Sequence, residues 1–183
     1  MTFSWNQALL DQTVFAWDYV FTKRVSGLTD DEYLWEPVDG CWSVCPADDG
    51  TWQQELVYPD PQPPPFTTIA WRLAHIGAVF GQRASKHFGD GSFDPLAVQW
   101  DGTAQGAMQI VTAEYTRWCE GVRSLGEDGL FRPCGPAEGR FADEPYLTLV
   151  LHINREFLQH AAEVALMRDL YRDIVTRNNG HAS

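Results

Sequence analysis

From Ser4 to Ser26, apolar side chains recur as Trp5, Leu9, Leu10, Val14, Phe15, Trp17, Val20, Phe21 and Val25. This three-four spacing predicts a long amphipathic helix with Ser4 as its N-cap. Gly27 stops it, and Thr29-Asp30-Asp31-Glu32 reads as a capping box opening a short helix that ends at Leu34 or Trp35, before Pro37. A second long helix follows Thr67 or Thr68. It carries Ile69, Leu73, Ile76, Val79 and Phe80 and runs to about Phe88, where Gly89-Asp90-Gly91 closes it. Asp101-Gly102-Thr103 offers the start of a third, with Met108, Ile110, Val111, Tyr115, Trp118 and Val122 on its line and Gly126 beyond an end at Ser124 or Leu125. Asp143-Glu144-Pro145 places acid and proline at the opening of a fourth. Its line of Val150, Ile153, Phe157, Ala161, Val164 and Leu170 continues to about Thr176.

Between these helices the pattern breaks. Residues 36–66 hold Pro37, Gly40, Pro46, Gly50, Pro59, Pro61 and the run Pro63-Pro64-Pro65 among several aromatics, which reads as an ordered excursion that either covers a site or packs as a surface loop, with a hairpin around Thr51 to Val57. Glu127 to Asp143 is a second irregular connection. Four long helices without a convincing run of strands predict an all-α four-helix bundle with long irregular loops after helices 1 and 3. The expected organisation is one domain over residues 1–183, with 177–183 a frayed tail that discounts His181.

Composition narrows the function. With 44% hydrophobic and 21% charged residues the chain is globular, and an aromatic share of 13% with eight tryptophans calls for a large core or a partly open pocket. A formal charge of -12 repels a phosphate backbone, so nucleic acid is not an expected partner. The N-terminus lacks a basic region followed by an apolar one, and no run approaches about eighteen apolar residues; the expectation is a cytoplasmic protein with no membrane partner. Cys41 and Cys45 are spaced C-x3-C, which fits neither the usual redox motif nor a zinc ribbon, and they read as small half-buried thiols.

The candidate chemistry sits on the fourth helix. Glu156 and His160 lie one turn apart and project from neighbouring points of one face, so a carboxylate oxygen and an imidazole nitrogen can converge on one ion. They belong to a polar strip of His152, Glu156, Gln159, His160 and Glu163 beside the apolar line. A polar group at that border needs a partner, and a metal supplies one for both. The candidate third ligand is His75 on the second helix, which shares a face with Trp71. Taken singly, each residue also fits a hydrogen-bonded core or surface role. His152 is read as solvent-facing ahead of a supporting role to Glu156 or ligation, and His87 as exposed.

The phrases Gly27 through Pro37, Gly40-Cys41-Trp42-Ser43-Val44, Thr68 through Ile76, and Asn154-Arg155-Glu156 through His160 to Leu170-Tyr171 resemble the DinB-like superfamily. Within it they resemble the actinobacterial branch related to mycothiol-dependent enzymes. The resemblance implies a four-helix bundle holding a divalent metal, commonly zinc or nickel, on three side chains near one end. Many members carry three histidines, the last two as H-x3-H. Here Glu156 stands where the first of that pair would, an arrangement similar to that of mycothiol-dependent maleylpyruvate isomerases. A carboxylate in the set shifts preference away from the softest ions.

The leading expectation is therefore a metal-dependent transferase or isomerase. A low-molecular-weight thiol such as mycothiol would be activated as thiolate at His75, Glu156 and His160, and an electrophilic small molecule would be its partner. Trp42 and Trp52 would shape the pocket above the ion. Two other readings stay open: a metal-dependent small-molecule hydrolase, and a non-catalytic, stress-related binding bundle whose polar strip satisfies itself. Bundles of this size can form homodimers through a helix face, and the sequence specifies none.

Overall fold

The computed structural model describes residues 3–59 and 61–180, and the side chains of 3–59 and 61–175. Ser4 caps the first helix as its spacing predicts, its Oγ accepting from the Gln7 amide at 3.2 Å. Helix α1 (Trp5–Phe15) then passes through a π turn (Ala16–Phe21) into α2 (Thr22–Val25). A π turn takes up an extra residue and rotates the succeeding side chains about the helix axis. Within it Ala16, Trp17 and Phe21 are buried and Val20, expected on the apolar line, faces outward; Phe15, just before the turn, is also exposed.

Gly27, at φ 71°, turns the chain into α3 (Asp30–Tyr33). Thr29 Oγ1 accepts from the Glu32 amide at 3.3 Å, but only this half of the expected capping box forms. The Glu32 carboxylate turns instead to the Arg168 guanidinium, at 2.7 and 3.0 Å.

The excursion after α3 contains a small antiparallel hairpin, β1 (Val44–Pro46) and β2 (Trp52–Gln54), with Val44 opposite Gln54. It lies earlier in the chain than the expected Thr51 to Val57. Its turn is set by Asp49, whose Oδ1 accepts from the Thr51 amide and hydroxyl at 2.9 and 2.6 Å, and by Gly50 at φ 81°. Backbone bonds fasten the segment down: Trp42 N donates to Phe66 O, Thr68 N to Trp42 O, and Trp100 N to Trp52 O, at 2.8–2.9 Å. The loop is thereby fixed beside the start of the next helix.

That helix is α4 (Ile69–Phe88), capped by Thr68 rather than Thr67; the Thr68 Oγ1 accepts from the Trp71 amide at 3.2 Å. Thr103 caps α5 (Ala104–Leu130), which kinks at Gly126 (φ 61°) and runs on past the end expected there. Helices α4 and α5 approach closely where Gly121 leaves room for Phe88; a Cβ at Gly121 would stand 1.9 Å from the ring. A 3-10 turn (Pro136–Phe141) precedes α6 (Tyr146–Gly180). His181 lies outside the described residues.

Helix α4 packs on α5 and α6, and α1 packs on the same two helices, giving the expected all-α four-helix bundle. At its centre Trp17 stacks on Tyr115 with centroids 3.9 Å apart, and Phe80 meets Phe157 at 5.4 Å. Each such ring is worth about 1.5–3 kcal/mol on burial. Phe80 follows His75 by little more than a turn and Phe157 directly follows Glu156, so this contact sets the register in which α4 and α6 present their polar residues to each other. No described helix is long and apolar enough to cross a membrane.

Candidate metal centre

His75 comes from the second turn of α4; Glu156 and His160 come from the middle of α6. One ligand atom from each can be chosen so that all three lie within 4.8 Å of one another. Two atoms each about 2.1 Å from a common ion stand at most about 4.2 Å apart. A small side-chain adjustment therefore closes the set, and its two nitrogens and one oxygen suit a divalent first-row cation. The geometry brings together the three residues singled out from the sequence.

The imidazole of His75 is positioned by rings rather than by hydrogen bonds. Trp71, one turn before it, stacks on it at 5.2 Å and 7°, and the His160 ring meets its edge at 4.5 Å. Trp71 is itself fixed, because its Nε1 donates to Glu55 O at 2.8 Å. Neither nitrogen of His75 makes a hydrogen bond within the described residues. Burial, then His160 and Arg72, pull its pKa down to about 4, so at neutral pH its ring carries no competing proton on one nitrogen.

His160 is oriented by a relay that the sequence did not announce. Its Nδ1 lies 2.6 Å from Glu163 Oε2, and because a carboxylate only accepts, Nδ1 carries the proton. Nε2 is the nitrogen turned towards the site, facing Glu156 Oε2 at 3.8 Å. Arg72 of α4 clamps the same Glu163 oxygen. Burial lowers the Arg72 pKa, and Glu163 partly offsets this. Glu163 was legible as a member of the polar strip, but its role needed Arg72, which arrives from another helix.

His152 is not simply in solvent. Its Nδ1 accepts from the Arg155 guanidinium at 2.7 Å and stands 3.5 Å from Glu156 Oε1, so it neighbours the carboxylate from the far side. His87 departs furthest from expectation. Its side chain is only 2% exposed, with Nε2 2.9 Å from Glu138 and Nδ1 3.3 Å from the Tyr146 hydroxyl. Glu138 sits in the 3-10 turn, far along the chain, and no local spacing advertises that partner.

A cavity of about 320 Å³ opens on His75 and Glu156, walled by Gln54, Leu56, Gln82 and Arg83. The excursion does border the site, through Gln54 and Leu56 rather than through the tryptophans expected. Trp42 reaches it only at one remove, 6.3 Å from Trp71, and Trp52 packs instead against Gly102. The chain's own thiols are poor nucleophiles. Burial, followed by the Glu55 charge, pushes Cys45 up to about 11, and burial pushes Cys119 to about 11. Cys41 and Cys134 are also raised, mainly by burial.

A helical bundle with three convergent donors between facing helices defines a class of metal-site scaffold. The family model of the DinB superfamily matches residues 12–164, and the chain belongs to that superfamily. No curated protein and no solved structure matches it significantly.

Proposed function

We propose that His75, Glu156 and His160 hold a divalent ion, zinc or nickel, and that the chain is a metal-dependent transferase or isomerase acting through a low-molecular-weight thiol of the mycothiol kind. The observation that carries this is the meeting of two imidazoles and one carboxylate within 4.8 Å, with His75 and Glu156 lining a cavity. Such an ion supplies a charge that lowers the pKa of a thiol beside it. The residues supply the rest. Glu163 and Arg72 keep His160 turned so that Nε2 faces the site, Trp71 keeps the His75 ring in plane, and Gln54 and Leu56 narrow the approach. An external thiol fits the chain's own chemistry, because burial disfavours the thiolate of every cysteine in it. The actinobacterial mycothiol-dependent branch, the reading of residues 1–183 as one domain and the electrophilic small-molecule partner belong to the same proposal.

Two measurements test it. Protein purified without a metal-binding tag is expected to contain close to one equivalent of zinc or nickel, falling below about a tenth in His160→Ala. Calorimetric titration of the metal-loaded protein with mycothiol is expected to show one site. Metal without thiol binding, with turnover of simple esters, would transfer the reading to a hydrolase; no metal at all would leave a binding bundle.

A further inference from the structure

Beside the cavity that opens on His75 and Glu156 lies a second and larger one, of about 500 Å³, between the Pro136–Phe141 turn and the first three turns of α6. The two share Arg83 and His152 as lining residues, so they abut across that pair. We propose that this second cavity is a binding site for an amphipathic monocarboxylate, with its acid on Arg83 and its apolar body over Phe141, Leu149 and Leu151.

Size and lining support this. A volume of about 500 Å³ lies in the range that takes an aryl or medium-chain acid. Phe141 and Leu151 are large apolar side chains left about half exposed, at 51% and 49%, and both line this cavity. A hydrocarbon body laid there removes them from water.

The charges select the ligand's polar end. Arg83 is held in place rather than satisfied. Its NH1 donates to Gln82 Oε1 at 2.5 Å, and its Nε stands 2.9 Å from Glu138 Oε1 without the alignment of a hydrogen bond. Glu138 is meanwhile shared with His87 Nε2, also at 2.9 Å. One buried carboxylate thus faces both Arg83 and His87, and a guanidinium, which presents five donors in a fork, keeps capacity for an incoming carboxylate. Arg155, on the same cavity, adds a second positive charge. Glu144, also on the lining, accepts from Thr148 at 3.4 Å, and its charge disfavours a second acid on the ligand. That makes the fit one for a monoacid rather than a diacid.

The position suggests what the site is for. A molecule anchored at Arg83 stands at the boundary of the cavity that His75 and Glu156 face, where a second reactant would meet a thiol. This role rests on the function proposed above; the binding itself does not, and so it is tested on metal-free protein.

The experiment is titration of the full chain, stripped of metal, with 4-phenylbutyrate, using 4-phenylbutanol as the uncharged control, monitored by calorimetry or amide shifts. The acid is expected to bind at least tenfold more tightly than the alcohol. Arg83→Gln should remove that preference. Thr148→Trp, an exposed position that lines this cavity and not its neighbour, should weaken the acid at least tenfold while zinc affinity stays within twofold. Equal affinity for acid and alcohol would overturn the proposal. So would binding that Thr148→Trp leaves unchanged, or binding that appears only after zinc is added, since that acid would be seated on the ion. Failure of mycothiol to bind would sink the thiol chemistry and leave this result standing.

Discussion

His160 Nδ1 and Glu163 Oε2 stand 2.6 Å apart on neighbouring turns of α6, and this contact decides which imidazole nitrogen is offered to a metal. The arrangement is the carboxylate–histidine pairing that orients metal ligands and raises their basicity. Here Arg72 of α4 locks the carboxylate in turn, so the orientation of a residue on one helix depends on a cation from the helix that carries His75. Removing the charge while keeping the shape, in Glu163→Gln, is expected to weaken zinc binding about 10–100-fold. Competition against a chromophoric chelator measures this, and the visible spectrum of the cobalt-substituted protein should shift with it. Unchanged affinity and spectrum would make Glu163 an ordinary partner of Arg72.

His75 gives the metal-free protein a defined pH response. Its folded pKa of about 4 lies below the ordinary histidine value of 6.5. Between these values the unfolded chain binds a proton at this residue and the folded chain does not. Stability from this group is therefore complete above about pH 6.5 and declines as pH falls towards 4, by roughly 3 kcal/mol. His75→Asn should flatten that part of the profile. Urea unfolding of both metal-free proteins at pH 7 and pH 4.5, monitored by tryptophan fluorescence, compares them; parallel losses would refute the assignment.

How far the sequence discloses this molecule depends on whether a feature is local. The Glu156–His160 pair follows directly from helical spacing, and the apolar lines of α4 and α6 predict which faces meet. Caps are equally local, as Ser4, Thr68 and Thr103 show. The π turn at Ala16–Phe21 is not, because one inserted backbone residue leaves the apolar spacing intact while turning Val20 outward. Glu32 resembles a capping-box glutamate until Arg168 competes for its carboxylate. His87 looks like an exposed helix-end histidine because Glu138 reaches it only through the path of a distant loop. The hairpin at Val44–Pro46 and Trp52–Gln54 was obscured by its own proline, although Asp49-Gly50 marks its turn.

The Glu32–Arg168 pair is a buried ion pair remote from the metal residues. The two side chains are 7% and 17% exposed, and Arg168 also donates to Ser26 O at 2.9 Å and to Arg24 O. Breaking one partner strands the other charge out of water. Glu32→Gln or Arg168→Met is therefore expected to cost about 3–5 kcal/mol. The double variant Glu32→Gln/Arg168→Met should lose less than the sum of the two, because no charge is left stranded. Equilibrium unfolding of all four proteins provides the cycle; additive losses would mean that the pair is not coupled.

Asn154 separates folding from ligation within a single helix. It is 2% exposed, and at about 100° per residue it lies on the face of α6 nearly opposite Glu156. Its Oδ1 accepts from the Thr13 hydroxyl at 2.6 Å, and its Nδ2 donates to Leu9 O at 3.2 Å and Gln12 Oε1 at 3.3 Å. These contacts tie α6 to α1 across the bundle. Asn154→Ala removes all three of these bonds and leaves the Thr13 hydroxyl only Leu9 O, at 3.1 Å, as its acceptor, at a cost of about 1–3 kcal/mol. In a chain of this size that lowers Tm by roughly 5 °C. Zinc affinity should stay within twofold, because α4 and the far side of α6 keep their packing. If Asn154→Ala instead lost zinc in proportion to stability, α1 would be part of what holds His75, Glu156 and His160 together, and the aromatic contact between α4 and α6 would not suffice to build the centre.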